Sequence, residues 1–127
     1  MPLVRIDTRT HPDPTRLHSI GRVVYAVLRS AINVPEQDNF QVLAEHDGGR
    51  LVYDPHYLGI ARSDGQVFIQ ITLNEGRSLE QKKALYQAIA EGLQHEAQVR
   101  PEDVFISLVE VKKENWSFGN GLAQYAG

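Results

Sequence analysis

The feature that most constrains the fold is an internal repeat of a strand–helix–strand pattern. Residues 35–46 align with residues 100–111 at a constant separation of 65 positions. Four aligned positions are identical: Asp38 with Asp103, Phe40 with Phe105, Leu43 with Leu108, and Glu45 with Glu110. These identities are weak alone, but a strand pattern and a helix pattern precede each segment in the same order. The combination predicts a tandem duplication of one β-α-β unit.

The first unit is predicted over residues 2–46. Leu3–Thr8 alternates apolar and polar side chains, which is typical of a strand. Asp13-Pro14 is a helix-start signal, because Asp is favoured at the N-cap and Pro at the first helical position. Apolar residues then recur every three or four positions until about Asn33, where Val34-Pro35 ends the helix. Phe40–Glu45 alternates again and predicts a second strand.

The second unit is predicted over residues 66–111. Val67–Leu73 is strongly apolar and predicts a central strand. Ser78 and Gln81 form a capping-box motif at the start of a second helix. Another strand is predicted at Val104–Val111. Between the two units, Arg50–Arg62 predicts a loop with short extended pieces.

Two such units predict an α/β (α+β) fold with one four-stranded sheet and both helices on one face. We expect the uncovered face to expose Leu, Val and Ile side chains that a second copy of the chain buries. The tail at about 114–125 carries Trp116 and Phe118 at alternate positions, followed by a Gly-rich turn. This pattern predicts a small C-terminal hairpin. The whole chain, 1–127, is expected to form a single domain.

Composition and patterning exclude several classes of function. The chain has no Cys, which removes disulfides, thiol nucleophiles and thiolate metal sites. Its net charge of −3 disfavours nucleic acid as a partner. The apolar run Val23–Leu28 is too short to cross a membrane, and Met1–Asp7 lacks the apolar stretch of a signal peptide. We therefore expect a cytoplasmic protein with neither metal nor cofactor, and with neither nucleic-acid nor membrane partners.

Three positions are candidates for chemistry. Pro2 follows the initiator Met, which is usually trimmed before a small residue; trimming gives a secondary amine that titrates near the α-amino range of about 7.7–8.0. Asp38 lies in a loop between a helix and a strand. Arg77 precedes the second helix, where a guanidinium and free helix N–H groups can bind a carboxylate. Each also has an ordinary explanation: a strand-edge proline, a turn-forming aspartate and a surface arginine.

Three motifs carry a family resemblance across nearly the whole chain: Met1-Pro2-Leu3, VPEQDNFQV at 34–42 and NWSFGNG at 115–121. Together they resemble the tautomerase superfamily and, within it, the malonate semialdehyde decarboxylase group. The resemblance implies a homotrimer that acts on a small oxo acid without a cofactor. It implies catalytic roles for Pro2, Asp38 and Arg77, and substrate-binding roles for Asn74, Trp116 and Phe118. The decarboxylase pattern often has two arginines after the third strand; here Asn74 stands at the first position and only Arg77 remains.

Two reactions fit these residues. If Asp38 raises the pKa of the Pro2 amine, the protonated amine polarises the carbonyl of a 3-oxo acid, and the carboxylate held by Arg77 leaves as carbon dioxide. If Arg77 and apolar neighbours lower that pKa, the neutral amine moves a proton between carbon and oxygen of a 2-oxo acid. The aspartate block and the aromatic tail are both present, which favours a decarboxylase-like enzyme with residual tautomerase or hydratase capacity. A non-catalytic, trimeric ligand-binding protein is the alternative from another class, since retained Met1 makes the Pro2 nitrogen a non-basic amide.

Overall fold

The computed structural model describes residues 2–126, which contain two α-helices and four strands in the predicted order. The elements are β1 (Leu3–Arg9), α1 (Arg16–Ile32), β2 (Phe40–His46), β3 (Val67–Asn74), α2 (Leu79–Ala97) and β4 (Val104–Val111). The loop between the two units contains two short 3₁₀ turns, at Gly48–Arg50 and Tyr57–Gly59.

The four strands form one mixed sheet in the order β2-β1-β3-β4. Each unit contributes a parallel pair, and the two pairs join through the antiparallel strands β1 and β3. Leu3 lies opposite both Phe40 and Thr72, so β1 and β2 begin where β3 ends. We call this end of the sheet the Pro2 edge. At the opposite end, which we call the Gln66 edge, Thr8 lies opposite Val67, where β3 begins.

Both helices cover the same face of the sheet and bury its alternate side chains. The fully buried residues on that face include Val4 and Ile6 from β1 and Ile69 and Ile71 from β3, packed against Ile20, Leu28, Leu85, Ile89 and Leu93 of the helices. Burial of each such side chain stabilises the fold by about 1.5–3 kcal/mol. Within residues 2–126, neither helix combines the length and apolar character needed to cross a bilayer.

The two helices begin differently. The predicted capping box of α2 is present: Ser78 Oγ accepts from the Gln81 N–H at 3.2 Å, and Gln81 Oε1 accepts from the Ser78 N–H at 2.9 Å. In contrast, α1 begins two residues later than Pro14. Asp13 accepts from the N–H and Oγ1 of Thr15, at 2.9 and 2.7 Å, and holds a turn ahead of the helix. Thr15 is the N-cap and makes no side-chain capping bond.

The uncovered face carries Leu and Val side chains, as expected, but none of the strand isoleucines. Exposed apolar residues are present, namely Leu3, Phe40, Val42 and Phe105. Charged groups lie between them: Asp7 Oδ2 accepts from Arg5 at 3.1 Å, and Asp7 Oδ1 lies 2.6 Å from His46 Nε2. The strand isoleucines are in phase with Val4 and pack toward the helices instead. The expectation of isoleucine on this face was wrong, because the alternation places Ile and its neighbours on opposite sides of the sheet.

The predicted C-terminal hairpin at about 114–125 is also wrong. The tail forms a 3₁₀ turn at Lys113–Asn115 and then a series of turns, with no strand in the described part. Gly119, Asn120 and Gly121 have φ angles of 138°, 59° and 67°. Three consecutive residues with positive φ cannot continue an extended strand, so the Gly-rich segment bends the tail into a loop.

Candidate active site

The strand register brings three of the sequence-predicted residues to the Pro2 edge. Pro2 is buried and directly precedes β1. Asp38 lies two residues before β2, and Asn74 is the last residue of β3. Because Leu3 pairs with both Phe40 and Thr72, Pro2 lies between the start of β2 and the end of β3. A candidate acid–base group, a carboxylate and an amide therefore share one end of the sheet.

Asp38 is positioned by the turn that follows α1. Its N–H donates to Pro35 O at 3.3 Å, and the Gln37 N–H donates to the Tyr25 hydroxyl at 3.2 Å. Gln37 has a φ of 68°, so the chain reverses sharply before β2. Asp38 is half-buried and, together with Phe40 and residues of the tail, lines a groove of about 240 Å³. The turn thus fixes a carboxylate in the wall of this groove.

Arg77 is fixed by the turn between β3 and α2. Its Nη1 donates to Asn74 O at 2.9 Å, and Gly76 reaches the φ of 122° that this turn requires. The side chain of Asn74 is 8% exposed, and its Oδ1 accepts from the indole Nε1 of Trp116 at 2.7 Å. Asn74 therefore connects the Arg77 guanidinium, through its backbone carbonyl, to the aromatic tail, through its side chain.

A second carboxylate supports this turn. Glu110 Oε1 lies 2.6 Å from Lys82 Nζ, and this hydrogen bond is the largest cause of a lowered Glu110 pKa. The backbone of Gly76 and the charge of Arg77 lower the pKa further. The ionised form of Glu110 is therefore favoured, and its negative charge interacts favourably with the positive charges of Lys82 and Arg77 beside the turn.

The tail supplies an aromatic wall to the site. The Trp116 and Phe118 rings stack with centroids 5.3 Å apart and planes at 13°, and Tyr125 meets Phe118 edge-on at 4.8 Å. Gln124 fastens the loop between them, since its Oε1 accepts from the Phe118 N–H at 3.0 Å and its Nε2 donates to Gly119 O at 2.8 Å. Phe118 and Tyr125 line the same groove as Asp38.

The sequence analysis gave no role to Phe40, Gln124 or Tyr125, all of which shape the groove or its wall. Phe40 could have been identified from the sequence as a candidate site residue, because it recurs as Phe105 in the repeat and alternates away from the helix-facing side of β2. Tyr125 and Gln124 could not have been identified in this way, because their positions depend on the turns at 119–121 and not on a periodic pattern. The structure places Pro2, Asp38, Asn74, Arg77, Trp116 and Phe118 at one edge, and their catalytic and binding roles stay predictions.

The chain matches known proteins over almost its entire length. The family model described as "Tautomerase enzyme" matches residues 38–119. The probable tautomerase YusQ of Bacillus subtilis (strain 168) is 44% identical over 124 residues, which cover 98% of each chain. The probable tautomerase YrdN of the same strain is 33% identical over 125 residues, which cover 98% of this chain and 96% of YrdN.

Solved structures agree with these sequence matches. The FG41 malonate semialdehyde decarboxylase inhibited by 3-bromopropiolate has a TM-score of 0.91 and 34% identity, covering 98% of this chain and 94% of that one. A second malonate semialdehyde decarboxylase, described with decarboxylase and hydratase activities, has a TM-score of 0.89 and 28% identity, with coverage of 98% and 95%. The chain belongs to the tautomerase superfamily. Within it, the chain falls in the malonate semialdehyde decarboxylase-like group.

Proposed function

We propose that this protein is a cofactor-independent enzyme that uses the amino-terminal amine of Pro2 as its acid–base group on a small oxo acid. The observation that carries the proposal is the register at the Pro2 edge, where Leu3 pairs with Phe40 and Thr72 and so places Pro2 between the Asp38 turn and Asn74. The 34% identity to a malonate semialdehyde decarboxylase supports decarboxylation as the reaction. Removal of Met1 is part of the proposal, because only then is the Pro2 nitrogen basic.

Each side chain has a role in that reaction. Asp38 raises the pKa of the Pro2 amine and keeps it protonated, so that the amine donates to the carbonyl oxygen of a 3-oxo acid. Arg77 binds the substrate carboxylate, and the Trp116–Phe118 wall excludes water from it. When the carbon–carbon bond breaks, carbon dioxide leaves and the electron pair forms an enolate stabilised by the cationic amine. The protonated Pro2 amine then transfers its proton to the enolate carbon, which completes the reaction, and the neutral amine regains a proton from solvent after the product leaves.

Tautomerisation is the second candidate, and the similarity to two probable tautomerases favours it. In that reaction the Pro2 amine is neutral and takes a proton from a carbon next to the carbonyl of a 2-oxo acid, then delivers it between carbon and oxygen. In either case the proposal places the acid beside the groove of about 240 Å³ that Asp38 and Phe118 line.

The proposal includes assembly into a homotrimer. Fused 4-OT proteins, described as symmetric trimers, share the fold with TM-scores of 0.79 and 0.76. In this chain Leu3, Phe40, Val42 and Phe105 are exposed on the face that the helices leave uncovered. Association of that face buries apolar surface that a monomer exposes. Light scattering on the enzyme preparation checks this, and a stable monomer at micromolar concentration contradicts it.

The decisive experiment compares protein with and without Met1, each verified by intact mass. The panel contains malonate semialdehyde, phenylpyruvate, an oxalocrotonate-type dienol and a haloacrylate. Retained Met1 is expected to lower kcat/KM by about 100-fold or more, the scale of general acid–base catalysis. Equal turnover by both forms contradicts a role for the amine, and no turnover by either form favours the non-catalytic ligand-binding protein.

The pH profile of the trimmed enzyme separates the two reactions. Decarboxylation needs the protonated amine, so kcat/KM falls as the pH rises through the Pro2 pKa. Tautomerisation needs the neutral amine, so kcat/KM rises over the same interval.

A further inference from the structure

The aromatic tail at the Pro2 edge is not held in place by burial in the core. Of residues 112–126, Trp116 alone is not exposed, so packing against the sheet and helices does not fix the conformation of this segment. Gly119, Asn120 and Gly121 have positive φ angles, and glycine loses more conformational entropy on ordering than any other residue. A loop of this kind keeps one conformation only where specific contacts offset that entropy.

The side chain of Gln124 supplies such contacts. Its Nε2 donates to Gly119 O at 2.8 Å, and its Oε1 accepts from the Phe118 N–H at 3.0 Å. The backbone hydrogen bond across the same turn, from the Leu122 N–H to Gly119 O, is longer, at 3.4 Å. Because hydrogen bonds weaken with distance, the Gln124 amide holds this turn more firmly than the backbone of the turn does. An amide suits this place, since it offers both a donor and an acceptor.

The same two hydrogen bonds orient the aromatic rings. Phe118, whose N–H Gln124 accepts, stacks on Trp116 with centroids 5.3 Å apart. Tyr125, the next residue after Gln124, meets Phe118 edge-on at 4.8 Å. At the other end of the stack, the Trp116 indole donates to Asn74 Oδ1 at 2.7 Å. The aromatic wall, formed by the stacked rings of Trp116 and Phe118, is therefore attached to β3 through Asn74 and across its own loop through Gln124.

We propose that Gln124 is a positioning residue, which holds the aromatic wall against the substrate carboxylate while carbon dioxide leaves. The inference rests on the proposed decarboxylation. An ionised carboxylate is strongly hydrated and carbon dioxide is neutral, so the exclusion of water raises the free energy of the bound substrate more than that of the transition state. A wall released from Gln124 admits water, which stabilises the bound carboxylate and slows the loss of carbon dioxide. Gln124 therefore acts on kcat and not on the affinity for substrate.

Gln124→Met keeps the length of the side chain and removes both of its polar atoms. In the trimmed enzyme acting on malonate semialdehyde, this variant is expected to lower kcat about fivefold, the effect of one net hydrogen bond, with KM unchanged or lower. The pKa of the Pro2 amine in the pH–rate profile is expected to stay the same, because the substitution alters no charge. Gln94→Met, at an exposed position near the end of α2, is the matched control and is expected to change neither constant.

Hydrogen exchange of the Trp116 indole N–H, followed by ¹⁵N NMR, reports on the wall without any turnover. At neutral pH the exchange is expected to be about fivefold faster in Gln124→Met and Gln124→Glu than in the wild type. An ionised carboxylate only accepts and loses the bond to Gly119 O, whereas a protonated carboxyl has a donor and an acceptor, like the amide. Exchange in Gln124→Glu is therefore expected to approach the wild-type rate as the pH falls through about 4.3, while Gln124→Met stays faster. Both variants are expected to unfold near the wild-type temperature, because the tail is exposed.

Three results overturn the proposal. Equal indole exchange in the wild type and Gln124→Met shows that Gln124 does not hold the wall. Faster exchange with an unchanged kcat shows that the position of the wall does not affect the reaction. A raised KM at constant kcat assigns the wall to substrate binding alone. A trimmed wild type that turns over none of the panel contradicts the proposed function instead, and the exchange rates then decide alone whether Gln124 holds the wall.

Discussion

The internal repeat relates the two edges of the sheet, but the equivalent aspartates at these edges have different surroundings. Asp38 and Asp103 occupy equivalent positions, each followed two residues later by an exposed phenylalanine. Asp38 is half-buried in the wall of a groove. Asp103 is 2% exposed and accepts from Ser63, through the N–H at 2.8 Å and Oγ at 2.6 Å.

The difference follows from what precedes the two central strands. Before β3, the connecting loop brings Ser63 and Gly65 against Asp103, and a Cβ on Gly65 would lie 3.0 Å from its Oδ2. Before β1 stands Pro2, the second residue of the sequence. The two units thus carry equivalent carboxylates with different surroundings: Asp103 holds the connecting loop, and Asp38 lies at the same edge as a candidate amine.

Exchanging each aspartate for asparagine tests most directly whether the two carboxylates have different roles. Asp103→Asn is expected to lower the free energy of unfolding by about 2 kcal/mol, because an amide cannot accept from both Ser63 groups while it is buried. Asp38→Asn is expected to lower the pKa of the Pro2 amine, because it removes the negative charge that stabilises the protonated form. Urea unfolding measures the first effect and the pH–rate profile of the trimmed enzyme the second. A raised or unchanged amine pKa in Asp38→Asn removes Asp38 from the site.

Arg77 and Arg62 extend the comparison to side chains that donate to backbone carbonyls, Arg77 at the Pro2 edge and Arg62 in the connecting loop. Arg77→Lys is expected to lower kcat/KM for oxo acids about 10-fold, since lysine cannot reproduce a forked contact with a carboxylate. The loss is expected to be small for an aldehyde or ketone without the carboxylate. Arg62→Lys at the Gln66 edge is the matched control and is expected to leave kcat/KM unchanged. Equal losses on charged and uncharged substrates assign Arg77 a purely structural role.

The helix starts provide a third contrast between the units. Ser78→Ala removes the side-chain half of the capping box and is expected to lower the free energy of unfolding by about 1 kcal/mol. Thr15→Ala is expected to cost less than about 0.5 kcal/mol, because Thr15 makes no capping bond and its contact with Asp13 is exposed. Denaturant midpoints of the two variants measure the contrast. Equal losses contradict it.

The smallest expected effect concerns Glu110, whose repeat equivalent is Glu45. Its folded-state pKa is lowered, chiefly by the hydrogen bond from Lys82, so its contribution to stability is present above the usual value of 4.5 and is lost as the pH falls through the folded pKa. Glu110→Gln is therefore expected to be slightly less stable than the wild type at pH 7 and equally stable in acid. Glu80→Gln, an exposed residue of α2, is the control. A difference that persists below the folded pKa contradicts the assignment.

Periodicity and local signals predicted most of the secondary structure. The bounds of β4 and the start of α2 agree with the prediction, because an alternating run and a capping box are local features that the packing leaves intact. The tail was mispredicted because its conformation is set by the positive φ angles at 119–121, which Asn and Gly permit but do not require. The hydrogen bond from Trp116 to Asn74 joins residues 42 positions apart, and no local sequence pattern predicts a contact at that separation.

Trp116 is the one tryptophan in the sequence, and it is stacked on Phe118 with its indole N–H held by a polar partner at the Pro2 edge. Ultraviolet excitation at the red end of the absorption band therefore selects a single fluorophore, and its emission reports on one end of the molecule. A molecule that binds against the Trp116–Phe118 stack alters the polarity around the indole and shifts the emission. One that binds at the Gln66 edge lies at the other end of the sheet from the indole and leaves the emission unchanged. The protein thus carries an intrinsic optical probe that distinguishes its two ends without a label.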